Sequence, residues 1–116
     1  MTEKTTDSVL LALAEEIKRD EAKTAFLNPA RIRDMRDALS CLRCLWASSG
    51  LSITYQLHAP VKSMGCITVE GREIVIRDPS AFTHAVELAS NVDIYPLADG
   101  GVCMDFAFHG LTKQFA

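Results

Sequence analysis

The sequence predicts an α+β domain: a mostly antiparallel sheet of about five strands with helices on one face, in the order α-α-β-β-β-α-β-β. Three observations carry this. Apolar residues recur at helical spacing through Ser48. From Leu51 the period drops to two. The strands that follow are mostly joined by short turns, which suit antiparallel neighbours rather than the long crossovers of a parallel sheet.

Taken in order, Met1 to Thr6 are polar and read as a flexible end. Asp7 or Ser8 can cap a first helix. Leu10, Leu13, Ala14 and Ile17 then form one apolar face, and Lys18 to Lys23 carry the helix into solvent. Asn28-Pro29 opens a second helix: Asn accepts from an orphan amide, and Pro lacks the N–H that would have had no partner. That helix is expected from Pro29 to Ser48. Ile32, Met35, Leu39, Leu42 and Trp46 form a narrow stripe along it, and Gly50 stops it.

Ile53, Tyr55 and Leu57 alternate with Thr54, Gln56 and His58 in the first strand, which Pro60 breaks. Ile67 and Val69 alternate with Cys66, Thr68 and Glu70 in the second. Gly71 then permits a tight turn into Glu73 to Arg77, so these two runs are expected to form a hairpin. Asp78-Pro79 opens a third helix whose buried face is Phe82, Ala85, Val86 and Ala89. Val92 to Leu97 is a strand, and Pro96 places it at an edge or bulge. Asp99-Gly100-Gly101 turns the chain into Val102 to His109, whose Val102, Met104, Phe106 and Phe108 share one face.

The chain has 116 residues, enough for one domain with a hydrophobic core that needs neither disulfides nor a metal. Its net charge of −3, from 12 basic and 15 acidic side chains, argues against general nucleic-acid binding, which a basic patch normally drives. Arg31, Arg33, Arg36 and Arg43 lie close together, but Asp34 and Asp37 interrupt them, so they read as a solvated helix face. The apolar run from Val9 to Ala14 is too short to span a bilayer and lacks the context of a secretory signal. A cytoplasmic location without membrane attachment follows, with the four cysteines as reduced thiols.

Motifs with portable chemistry are scarce. Cys41-Leu42-Arg43-Cys44 has the spacing of a zinc half-site or redox pair, but it is expected deep in the second helix, away from the helix N-terminus that lowers a thiol pKa. No second close pair completes a zinc site, so no stoichiometric zinc is expected. Gly100-Gly101 sits between strands and lacks the phosphate-loop pattern. His84 falls off the apolar face of its helix and is expected in solvent. No cofactor is implied.

The polar face of the sheet is the most informative surface. It should carry Gln56 and His58, then Cys66, Thr68 and Glu70, then Cys103, Asp105 and His109. Among these, His58, Cys66, Cys103, Asp105 and His109 are candidates for a thiol–imidazole nucleophile or a metal site if the strand order brings them together. The element order resembles that of small acidic dimeric secretion chaperones in architecture alone. No motif residue carries that likeness, and a fold does not name a function.

Three helices offer more apolar surface than one sheet face covers. The sequence therefore favours a binding or assembly module that pairs with a second copy or another protein. Ile32, Met35, Leu39, Leu42 and Trp46 are the expected dimer seam. The same stripe as internal core, with the first helix exposed instead, is the competing expectation. A small enzyme or metal-binding protein using the polar sheet face is the alternative function.

Overall fold

The structure, a computed structural model, describes residues 2–23, 27–48, 50–57 and 63–112; at positions 2–7, 21 and 23 only the backbone is described. Helix α1 (Thr2–Lys23) and helix α2 (Pro29–Cys41) lead into a 3₁₀ turn at Leu42–Cys44 and a short strand β1 (Leu45–Trp46). Strands β2 (Ser52–Leu57), β3 (Met64–Gly71) and β4 (Val75–Ile76) follow, then helix α3 (Pro79–Leu88) and strands β5 (Asn91–Pro96) and β6 (Val102–His109).

The architecture is α+β, with every strand pair antiparallel. The main sheet has four strands in the order β2-β3-β6-β5, and β1 and β4 form a separate two-stranded ladder. This replaces the expected single sheet of about five strands, and the expected β3–β4 hairpin does not form. The reason is that a strand has two edges. β3 gives one to β2 and the other to β6 along its whole length, from Met64↔His109 to Gly71↔Val102. Val75 and Ile76 must therefore pair elsewhere, and they take Trp46 and Leu45.

That pairing also shortens α2. The expected helix to Ser48 ends at Cys41, because Leu45 and Trp46 leave helical geometry to join β4 and the Cys44 carbonyl accepts from the Arg77 N–H at 2.7 Å. The start of α2 is as expected: the Asn28 side chain accepts from the Ala30 N–H, with Pro29 in the first turn. Asp78 caps α3 in the same way, accepting from Ser80 and Ala81. α1 begins earlier than the expected cap at Asp7 or Ser8 and runs from Thr2. Met1, Ser49, His58 and Pro60 lie outside the described residues.

Ile32, Met35, Leu39 and Leu42 are all buried, at no more than 1% exposure, within the single chain. They pack in one cluster with Ile17 of α1, Ile67 and Val69 of β3, and Phe106 and Phe108 of β6. The stripe expected as a dimer seam is thus internal core. Trp46 alone among the five stays half-buried, with the Arg77 guanidinium 5.7 Å above its ring. On α3, Ala85 is buried and Phe82 meets Phe106 edge to face at 6.2 Å, but Val86 faces outward, unlike its expected place in the core.

Arg31 departs most from the solvated arginine face expected for α2. Its Nε donates to the His109 carbonyl at 2.9 Å, Nη1 to the Leu88 carbonyl at 2.9 Å and to Asp34 at 2.8 Å, and Nη2 to the Ser90 hydroxyl at 2.9 Å. The guanidinium also lies 5.5 Å over the Phe108 ring. One side chain thereby ties α2 to the end of α3, the start of β5 and the end of β6.

Two outcomes test this packing. Leu39→Asp is expected to abolish cooperative unfolding by circular dichroism rather than give a folded monomer, because an unpaired carboxylate in this core has no folded state in which water reaches it. Arg31→Ala is expected to lower unfolding free energy in urea by about 3 kcal/mol, since bonds from a charged donor contribute about 1.5–3 kcal/mol each and are not additive. Arg31→Lys should recover less than half of that loss, because an ammonium cannot reproduce the planar fork.

Candidate functional site

Antiparallel pairing sends alternate residues of each strand to opposite faces, so the register of the main sheet decides which polar groups meet. The helices cover the face of Ile53, Ile67, Val69, Phe106 and Phe108. No described element covers the opposite face. Across it, Thr54, Thr68, Asp105 and Asp93 form one row. Gln56, Cys66, Ala107 and Asn91 form the next, and Ser52, Glu70, Cys103 and Tyr95 a third. His109 stands opposite Met64 at the end. All of these side chains except Ser52 and Thr54 line a shallow basin of about 410 Å³.

Four of the five expected candidates therefore share one surface: Cys66, Cys103, Asp105 and His109. His58 lies outside the described residues. Asp93 and Tyr95 of β5 also line the basin and were not among the candidates. The signal for them was present. The Asp99-Gly100-Gly101 turn sets the β5–β6 register, with Gly100 at φ +92° and the Leu97 N–H bonded to the Gly101 carbonyl at 2.8 Å. Counting back from that turn places Tyr95 opposite Cys103 and Asp93 opposite Asp105.

The centre of the face is a hydrogen-bonded carboxylate. The Thr68 hydroxyl donates to Asp105 Oδ1 at 2.7 Å, and the Tyr95 hydroxyl donates to Oδ2 at 3.0 Å. Hydrogen bonding to Cys103 and then to Asp105 pushes the Tyr95 hydroxyl well above the usual tyrosine range, so it remains a donor. These donors help Asp105 tolerate Asp93 directly across the ladder, where like charges otherwise repel. Glu70 adds a third carboxylate to the basin, and neither Lys nor Arg lines it among the described residues.

The thiols are poorly suited to attack. Burial first, and the charge of Asp105 second, raise the Cys66 pKa above its ordinary value. His109 is exposed and diagonal to Cys66 across the ladder, and no hydrogen bond joins it to Cys66 or Cys103. Its backbone is committed instead, the N–H to Ser90 and the carbonyl to Arg31. Among the described residues, no group of three or more His, Cys, Asp or Glu is placed to hold a metal ion.

Cys41 and Cys44 do not compensate. The pair sits at the C-terminal end of α2 and in the 3₁₀ turn rather than in mid-helix. A helix C-terminus disfavours a nearby anion. Burial raises both thiols, and Asp37 and Asp78 add to the rise at Cys41. His84 is exposed on α3, as expected.

A raised pKa leaves less thiolate at neutral pH. Alkylation of Cys66 by iodoacetamide at pH 7, followed by mass spectrometry, is therefore expected to be slower than that of free cysteine. The rate should still be climbing above about pH 9 and should become ordinary in urea. Faster reaction than free cysteine at pH 7 would restore Cys66 as a nucleophile.

Comparison with protein-family models, with curated proteins and with solved structures gives no match to this chain.

Proposed function

We propose that this protein is a small cytoplasmic binding module, self-associated as a homodimer, and that the open face of its main sheet receives a polypeptide segment carrying lysine or arginine side chains. The observation that carries this reading is the basin itself. Among the described residues, nothing covers one face of the four-stranded sheet, and that face presents Glu70, Asp93 and Asp105 with no basic side chain lining it. Complementary charge on a partner steers its approach and fixes its register more than it adds raw affinity. A surface of this kind rejects the phosphate backbone of nucleic acid for the same reason. The four free cysteines accord with a reducing compartment.

Catalysis at the same surface is the second reading, favoured by one observation: Cys66, Cys103, Asp105 and His109 share the basin. The raised Cys66 thiol and the absence of a hydrogen bond to His109 count against it.

The test is a titration of isotope-labelled protein with a lysine- and arginine-rich decapeptide, followed by amide chemical shifts. Shifts are expected along β3, β5 and β6, with affinity falling several-fold as salt is raised, because exposed charges are screened. Glu70→Lys with Asp93→Lys should abolish them without loss of fold, and a decapeptide of glutamate and serine should give none. Shifts confined to the helices, or none with the basic peptide, would remove the sheet face as the docking surface.

A further inference from the structure

The exposed edge of β5 carries a second, independent set of constraints. Among the described residues β5 pairs with β6 on one side only and closes the main sheet. An open edge of this kind is a template for another strand unless it is blocked. The bond from the Leu97 N–H to the Gly101 carbonyl marks that position as a hydrogen-bonded pair. Antiparallel alternation then makes Tyr95, Asp93 and Asn91 bonded toward β6, and it turns the backbone groups of Val92, Ile94 and Pro96 outward. Proline has no N–H, so the edge offers two outward donors, at Val92 and Ile94, and three outward carbonyls. Large apolar side chains are exposed on both sides of the same strand: Ile94 is 59% exposed and Tyr95 43%.

We propose that two copies of this chain pair antiparallel through β5 about a two-fold axis at Ile94, joining their sheets into one continuous eight-stranded sheet. The proposal names the surface behind the self-association put forward above, and it rests on that part of the reading. The edge is complementary to itself in this register. Ile94 N–H and carbonyl bond their counterparts on the second copy, and each Val92 N–H meets the carbonyl of the other Pro96. All outward donors of both strands are then used, and the Val92 carbonyl, which faces the other copy's Pro96 and so finds no N–H there, is the one outward acceptor the pairing leaves unbonded. Ile94 packs against its own copy on the helix side. Asp93 faces the other copy's Tyr95 on the open side. The neighbouring two-fold register, centred on Asp93, would set two carboxylates directly opposite one another, which is destabilising. Charge thus selects the Ile94-centred register. The second copy leaves both acidic basins uncovered, side by side on one surface.

Analytical ultracentrifugation of the full chain tests this. The wild type is expected to dimerise reversibly. Ile94→Lys places two like charges across the axis and should sediment as a monomer with unchanged circular dichroism, since the side chain is mostly exposed in the single chain. Ile94→Cys should give a disulfide-linked dimer on mild oxidation, whereas Leu11→Cys on the exposed part of α1 should not. A wild type that stays monomeric overturns self-association altogether. A dimer that persists in Ile94→Lys, or that cross-links through Leu11→Cys and not Ile94→Cys, overturns the β5 edge and leaves self-association standing.

Discussion

Strand β6 has no free edge, and most of the molecule follows from that constraint. It pairs with β3 over eight residues and with β5 over six, so its register is held from both sides. A slip by one position would exchange Met104, Phe106 and Phe108 with Cys103, Asp105 and His109, moving the core into solvent and the polar groups into the core. The same alternation that buries Phe106 and Phe108 completely therefore delivers Asp105 to the open face. Arg31 secures the end of this strand by bonding the His109 carbonyl and stacking over Phe108. Core and candidate site are two sides of one strand and cannot be altered independently.

Local chemistry was the legible part of the sequence. Asn28-Pro29 and Asp78-Pro79 open helices because a capping oxygen and a proline satisfy the first turn without reference to the rest of the chain. Asp99-Gly100-Gly101 turns because Gly100 takes a positive φ that other residues resist. Alternation in β2, β3 and β6 likewise assigned Cys66, Thr68, Cys103, Asp105 and His109 to one face before any strand order was known. What was hidden depends on distant partners. Leu42 and Trp46 continue the helical spacing of α2, yet the chain leaves the helix because β4, some thirty positions later, supplies a strand for Leu45 and Trp46 to join. Periodicity also made the Ile32–Leu42 stripe look like a seam, since a stripe facing an internal sheet and one facing a second helix have the same spacing. Arg31 looked like its exposed neighbour Arg33 because nothing in the local sequence says that Ser90 and His109 will lie beside it.

The cysteines show how position overrides motif. A C-x-x-C pair at a helix N-terminus becomes acidic because the dipole and orphan amides favour the thiolate. Cys41 and Cys44 occupy the other end, where the field is reversed and Asp37 and Asp78 add negative charge. Cys66 is subject to the same sign of effect from Asp105. Burial first, and these carboxylates second, raise all three thiols above their ordinary pKa, and that is consistent with small packed side chains rather than reactive ones.

The acidity of the open face also limits how two copies of this chain can meet. Stacking the two basins would bring Glu70, Asp93 and Asp105 of each copy together, and burying like charges without counter-charges is costly. The apolar stripe of α2 is already spent on the core. Lateral extension at a sheet edge avoids both obstacles. β2 is the other edge strand, but α1 leans on it, with the Tyr55 hydroxyl of β2 donating to Asp20 at 2.8 Å. β5 has no such neighbour beyond its outer edge among the described elements, and it keeps Ile94 in solvent on the helix side. Edge pairing is non-repulsive because it sets Asp93 beside a tyrosine instead of a carboxylate. In the proposed dimer it would also double the acidic surface offered to a basic partner while adding no charge to any buried site, so self-association and partner binding would use different groups of the same sheet.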